Sequence, residues 1–273
     1  MSQTYQTIGI ILKQNPFKEN DLLVTIFSPE YGLIKAIAPG ARKYKSSLRG
    51  RIQPLVINEF LIIKGKSLDR LIQAETKQSY PKLSLNLGKL TISQYLAEIV
   101  LNLALEEQPQ NELYDSLNHH LKTLENLDNN LSLYPYLCQG IFDLLTITGI
   151  APEVNSCLIT DNPLIPNFHQ SHWQVGFSFS NGGLMQLSAI HHNQKIYINA
   201  KVNALELSFI QCLCHGLLDQ ILPTEKYSES IVNQAWINIE KILKNYLEFY
   251  LGHSLKSAAM IDFALNYQSP IPS

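Results

Sequence analysis

Across its first 80 residues this chain alternates apolar and polar positions on a two-residue period, cut at intervals by turn residues. The runs are Tyr5–Lys13, Asp21–Ser28, Leu33–Ala38, Pro54–Lys64 and Leu68–Thr76. A period of two places alternate side chains on opposite faces of a strand, so five short strands are expected. Asn15-Pro16, Pro29 to Gly32, Pro39-Gly40 and Gly65 separate them. Five such strands with one long insertion suit a small closed barrel. The OB-fold is the five-stranded barrel that binds oligonucleotides, and an SH3-like barrel is its structural competitor.

After Tyr80-Pro81 the period changes. Ser84 is a candidate cap for a helix running to about Glu107, with Leu87, Leu90, Tyr95, Ile99 and Leu103 along one face. Pro109 cannot continue a helical ladder. Glu112–Leu127 and Leu133–Ile147 are further helices, the second closing at Gly149 and Pro152. Residues 153–200 are irregular and β-like, with Asn181-Gly182-Gly183 as a hairpin turn. Ala204–Ile221 and Glu229–Leu251 return to helical spacing, and Tyr267–Ser273 is expected to fray. The expected class is α+β: an N-terminal five-stranded OB-fold barrel over 1–80, then a mainly α-helical domain over 81–273 with a small hairpin region at about 153–200.

The long insertion in the barrel carries the strongest chemical signal. Between Lys35 and Arg51 stand Lys35, Arg42, Lys43, Lys45, Arg49 and Arg51, with no acidic residue among them. Clustered Lys and Arg on a loop form the footprint of a phosphate backbone; a solvated loop without a partner is the plainer alternative. Lys64, Lys66 and Arg70 are secondary candidates. Guanidinium forks match phosphate geometry, which ranks Arg42, Arg49 and Arg51 first. Tyr44 sits inside the segment, either to stack on a base or to pack on a lysine stem.

The formal net charge of −2 hides an asymmetry. Residues 1–80 hold 12 Lys/Arg against 6 Asp/Glu, a balance of +6, and the remainder holds 9 against 17, a balance of −8. The split suggests that one half meets a polyanion and the other does something else. No apolar run approaches the ~18 residues that span a bilayer. The start lacks a basic leader, and Cys138, Cys157, Cys212 and Cys214 make no disulfide framework in a chain this long, so a reducing cytoplasm is expected. No phosphate-binding G-x-x-x-x-G-K-[ST] loop, G-x-S-x-G elbow or H-E-x-x-H pair occurs. Glu106-Glu107 beside Pro109 is expected to be a solvated helix end. Cys212 and Cys214, two apart on a helix, point away from each other and are expected to be buried small hydrophobes; His119-His120 is expected at the surface.

Glu19-Asn20-Asp21, Phe27, Gly32, Pro39-Gly40-Ala41-Arg42, Leu48, Gly50, Gln53 and Pro54 resemble, in order, the opening of the RecO family of bacterial DNA-repair and recombination mediators. Tyr95-Leu96-Ala97-Glu98 resembles the family's first long helix. Phe142-Asp143-Leu144-Leu145 leading to Gly149-Ile150-Ala151-Pro152 resembles its exit toward the metal-finger region. Tyr250-Leu251-Gly252-His253 with Leu255-Lys256-Ser257 resembles its end. The resemblance implies an OB-fold and a helical domain, binding of single- and double-stranded DNA, and annealing of complementary strands. It further implies docking of the tail of the single-stranded DNA-binding protein (SSB), and work with RecR in the RecF pathway to help RecA load. The tail's receptor, an apolar pocket rimmed by Lys or Arg, would lie in the helical domain.

Many members of that family hold zinc with four cysteines. Here Cys157 stands at the first ligand position, Thr160 where the second would be, and Leu184 and Met185 follow Gly182-Gly183. Zinc needs about four ligands in tetrahedral geometry, and His169, His172, His191 and His192 match no standard spacing. A metal-free hairpin without cofactor is expected. Two rivals to a non-enzymatic DNA mediator stay open: a metal-dependent nuclease with an OB module, and an interaction scaffold whose basic loop meets an acidic protein.

Overall fold

The computed structural model describes residues 3–190, 196–216, 218 and 227–266. The chain divides into two compact units, residues 1–129 with 259–273, and residues 130–258.

The first unit is built on a closed barrel. Strands β1 (Thr4–Pro16), β2 (Leu22–Ser28), β3 (Gly32–Ala38), β4 (Ile57–Ile63) and β5 (Asp69–Gln78) close in the order β1-β2-β3-β5-β4. This is the OB-fold ring. The long β1 pairs with β4 through Thr4–Ile10 and with β2 through Ile10–Pro16, bending at a bulge between Ile11 and Lys13. Ile11, Val24, Ile26, Ile34, Phe60, Ile62 and Leu71 fill the interior. Each such side chain contributes about 1.5–3 kcal/mol when removed from water.

The ring is weakest where β3 meets β5. That parallel contact has two pairs only, Ala36 with Asp69 and Ile37 with Arg70. The other half of β3 takes its partner from residues 105–110: Leu33 N–H donates to Leu105 O at 2.9 Å, and Gln110 N–H to Pro29 O at 2.8 Å. Gly32 permits this approach. Its φ is +64°, and a Cβ there would lie 2.1 Å from Leu105 O.

Helices α1 (Leu87–Leu103) and α2 (Asn111–Asn126) belong to the same unit. α1 is capped by Asn86, whose side chain accepts from Lys89 N–H at 3.0 Å, and not by Ser84. Pro81–Leu85 forms a separate 3-10 turn in which the Ser84 hydroxyl donates to Pro81 O. The helix stops at Leu103 rather than Glu107, because the following residues extend onto β3. α2 buries Leu113, Leu117, Leu121 and Leu124, and Tyr114 packs on Phe27 of the barrel at 5.9 Å between ring centres. His119 is exposed as expected, but His120 is buried on this face.

The second unit holds α3 (Tyr134–Ile147), a sheet of β6 (Gln174–Ser178), β7 (Gly183–Gln186) and β8 (Ala200–Asn203), and helices α4 (Ala204–Cys214) and α5 (Glu229–Leu251). The hairpin turns at Asn181-Gly182-Gly183, with Gly182 at φ +69°. Its β6 also pairs with β8, so the hairpin carries a third strand that residue pattern alone did not mark. Phe209 stacks on Trp236 at 4.6 Å, joining α4 to α5. α5 ends at Gly252 with φ +72°. Cys138 is buried. Cys212 is only half-buried and Cys214 exposed, because Leu213 between them takes the buried side at the end of α4. The last turn expected of that helix, up to Ile221, and the tail from Tyr267 lie outside the described residues. α6 (Ala258–Asn266) lies from Ala259 onward in the first unit.

Candidate nucleic-acid interface

The segment 39–56 joins β3 to β4, yet it is not a free loop. Successive turns hold it: Lys43 N–H donates to Gly40 O, Ser46 N–H to Lys43 O, and Ile52 N–H to Leu48 O. Ala41, Leu48 and Ile52 point inward and join the barrel core. Buried Asn58 of β4 donates to Arg51 O at 2.7 Å and accepts from the Thr76 hydroxyl at 2.9 Å. The segment's apolar residues therefore plug one end of the ring, and its polar residues face out.

Arg42, Lys43, Tyr44, Lys45, Arg49 and Arg51 are all exposed. Tyr44 is 88% exposed, so its ring has both faces in solvent. Arg42 and Arg51 are partly engaged. Arg42 Nη1 donates to Glu19 O at 3.1 Å and its backbone N–H to Asn20 O at 3.0 Å. Arg51 Nη1 donates to Ala74 O at 2.8 Å. Each guanidinium keeps further N–H donors directed outward. No acidic side chain pairs with these five cations among the described residues.

The strand directions separate the remaining candidates from this group. The β1–β2 loop and segment 39–56 leave the same end of the ring; the β2–β3 and β4–β5 turns leave the other. Lys64 and Lys66 lie in the β4–β5 turn, and Arg70 is exposed near the start of β5. Lys35 projects from β3. Its ammonium lies 2.6 Å from Glu106, and that of Lys64 lies 2.8 Å from Glu107. The hydrogen bond to Glu107 raises the Lys64 pKa against the opposing effect of burial. Thus Glu106 and Glu107 are solvent-exposed as expected, but they lie beyond the end of α1 and pair with the barrel's lysines.

These four side chains rim a cleft of about 140 Å³ that also includes Tyr5, Tyr31 and Asp69. Tyr5 donates to the Asp69 carboxylate. Burial, then this bond, push the Tyr5 hydroxyl far above its ordinary pKa. Two residues that composition did not single out stand at the basic end instead. Phe17 and Lys18 occupy the tight β1–β2 loop, with the Lys18 ammonium 5.7 Å from the Phe17 ring centre.

Two family profiles match this chain. One described as "Recombination protein O N terminal" matches residues 1–80, and one described as "Recombination protein O C terminal" matches residues 84–259. The chain belongs to the RecO family. It is 50% identical to a DNA repair protein RecO of Gloeothece citriformis, over 96% of this chain and 98% of that protein. It is 43% identical to that of Trichodesmium erythraeum, over 99% and 98%, and 43% identical to that of a Synechocystis species, over 96% and 97%.

The four-cysteine zinc set is not assembled in this RecO chain. Cys157 is buried, and its sulfur accepts Gln186 N–H at 3.3 Å. Burial raises its pKa, but hydrogen bonds from Thr160 and the Gln186 backbone outweigh that and bring it below the usual value. Leu184 and Met185 are buried where the remaining thiols would be sought. Among the described residues no group of three His, Cys, Asp or Glu side chains converges as a metal site. His169 and His172 are described and do not converge; His191 and His192 lie outside the described residues. The residues present do not fit zinc. No described helix is long and apolar enough to cross a membrane.

Proposed function

We propose that this chain is a DNA repair and recombination mediator of the bacterial cytoplasm, acting at the nucleoid without catalysing a covalent step. The observation that carries the reading is the barrel-end segment 39–56, with five outward cations, no acid, and a buried apolar side. A surface of that kind binds phosphate irrespective of base sequence, as a mediator must. Arg42, Lys43, Lys45, Arg49 and Arg51 contact phosphates and Tyr44 stacks on a base. Lys66 and Arg70 extend the field, and Lys35 and Lys64 contribute less while Glu106 and Glu107 neutralise them.

Bringing two strands together requires only that their mutual repulsion be screened. Cations on the barrel do this by releasing condensed counterions, with roughly −0.7 in log–log salt slope per single-strand contact. Single- and double-stranded DNA both fit such a surface. The relatives are named as DNA repair proteins, which supports extending the reading to strand annealing and to RecA loading with RecR. The SSB tail is assigned to the acidic helical part, where an apolar receptor rimmed by one or two cations would take it.

The test is annealing of two complementary oligonucleotides coated with the cognate SSB, with no nucleotide added. Faster annealing that disappears when the SSB tail is deleted supports both the DNA and the partner halves. No acceleration by folded protein, with strands intact, overturns the mediator reading.

A further inference from the structure

We propose that Phe17 and Lys18, in the loop joining β1 to β2, form a base-stacking step in the path of a single strand, and that Phe17 adds an affinity for single strands that duplex cannot use. The inference rests on the DNA-binding reading above and adds the uncharged Phe17 and a lysine outside the basic segment.

The loop spans only the residues between Pro16 and Leu22, and it is held rigidly. Phe17 N–H donates to Asp21 O at 3.2 Å, and Asp21 Oδ1 accepts Gly40 N–H at 2.8 Å. Arg42 clamps it from the other side through Asn20 O and Glu19 O. These bonds tie the loop to the basic segment at the same end of the barrel. A phosphate bound at Arg42 therefore lies against the loop backbone at Lys18 to Asn20, next in sequence to Phe17.

In this setting an apolar ring is out of place. Phe17 is 39% exposed in a loop otherwise made of Lys18, Glu19, Asn20 and Asp21. It is not a member of the barrel core. A partly exposed ring, one residue from the Lys18 carbonyl that the Arg42 guanidinium reaches at 3.4 Å, suits a base, whose flat apolar face needs a partner once the strand is unpaired. Lys18 holds its ammonium near the ring by cation–π attraction. It can swing from the ring to a phosphate as the base arrives. Duplex DNA keeps its bases stacked inside and cannot use this step.

The experiment compares fluorescence anisotropy of labelled oligo-dT and of a duplex of equal length, across salt, for the full chain and for Phe17→Ala, Phe17→Leu, Phe17→Trp and Lys18→Ala. Phe17→Ala and Phe17→Leu should weaken oligo-dT binding about 5- to 100-fold, with duplex binding within about twofold and an unchanged salt slope. Phe17→Trp should restore oligo-dT affinity. Lys18→Ala should reduce the single-strand salt slope by about 0.7. The leucine variant keeps the apolar bulk, so it separates loss of a flat ring from loss of folding. Unchanged oligo-dT affinity in the leucine variant, or equal loss for single strand and duplex, overturns the inference while leaving DNA binding intact. Absence of any DNA affinity in the unmodified chain overturns the parent reading and this one together.

Discussion

Glu106 Oε1 lies 2.6 Å from the Lys35 ammonium, and the next residue, Glu107, lies 2.8 Å from that of Lys64. Two consecutive carboxylates thus neutralise two lysines of one barrel, one on β3 and one in the β4–β5 turn. Both pairs are about half exposed, so each contributes no more than about 1 kcal/mol to stability. Replacing both, Glu106→Gln with Glu107→Gln, should cost less than about 2 kcal/mol in urea unfolding. It should tighten single-strand binding and steepen its salt slope by up to about 1.4, because two cations are released. An unchanged slope would mean that DNA does not reach this end of the barrel.

Arg49 differs from its two neighbours in the basic segment. Arg42 and Arg51 each donate to a backbone carbonyl of another segment, whereas the Arg49 guanidinium makes no such bond among the described residues. Reversing all three to Glu should weaken single-strand binding strongly at low salt. Singly, Arg49→Glu should lose affinity with its melting temperature unchanged. Arg51→Glu should lose affinity and also about 1–2 kcal/mol of stability, as the bond to Ala74 O goes. Thermal melts beside anisotropy titrations separate the two effects.

Gly32 is required by the close approach of residues 105–110 to β3. Gly32→Ala places a methyl 2.1 Å from Leu105 O in a backbone conformation that L residues avoid. The left-handed φ alone costs about 1–3 kcal/mol, and the clash adds to it. Equilibrium unfolding should show that loss, with faster amide exchange at Leu33, whose N–H bonds Leu105 O.

Tyr80 provides a pH handle. Burial, followed by the nearby Tyr114 and Glu125, raises its pKa from 10.0 to about 12. A pKa raised in the folded state means the neutral form is favoured by folding. The associated stability is complete below pH 10 and is lost as pH rises toward 12. Melting temperature should fall across that window, and Tyr80→Phe should make the fall shallower. Tyr5, whose pKa is also raised, acts in the same direction at higher pH.

Much of the barrel was legible because period-two alternation depends on local chemistry. β1, β2, β3 and β5 fall within three residues of their expected bounds, and β4 begins at Ile57 rather than Pro54. The late start follows from Leu55, which takes φ +67° to donate its N–H to Ile11 O. The start of α1 lies at Asn86 rather than Ser84 because the Ser84 hydroxyl is taken up inside the 3-10 turn, donating to Pro81 O. The cationic run was visible as composition. That Ala41, Leu48 and Ile52 anchor it was not, since three apolar positions set among Gly40, Gly50 and Pro54 in a run of cations read as a loop. Nor did sequence reveal Glu106 and Glu107 as partners of Lys35 and Lys64, because such pairing depends on a distant segment returning to β3.

The inward side of the basic segment bears on the thermodynamics of whatever it meets. Since Ala41, Leu48 and Ile52 are already sealed in the barrel, ligand binding does not have to order that backbone. The heat-capacity change of association should accordingly stay small, without the large negative value of coupled folding. Heating should leave the ionic surface competent until the barrel itself melts, so that affinity disappears in the same narrow interval as the β signal rather than fading ahead of it.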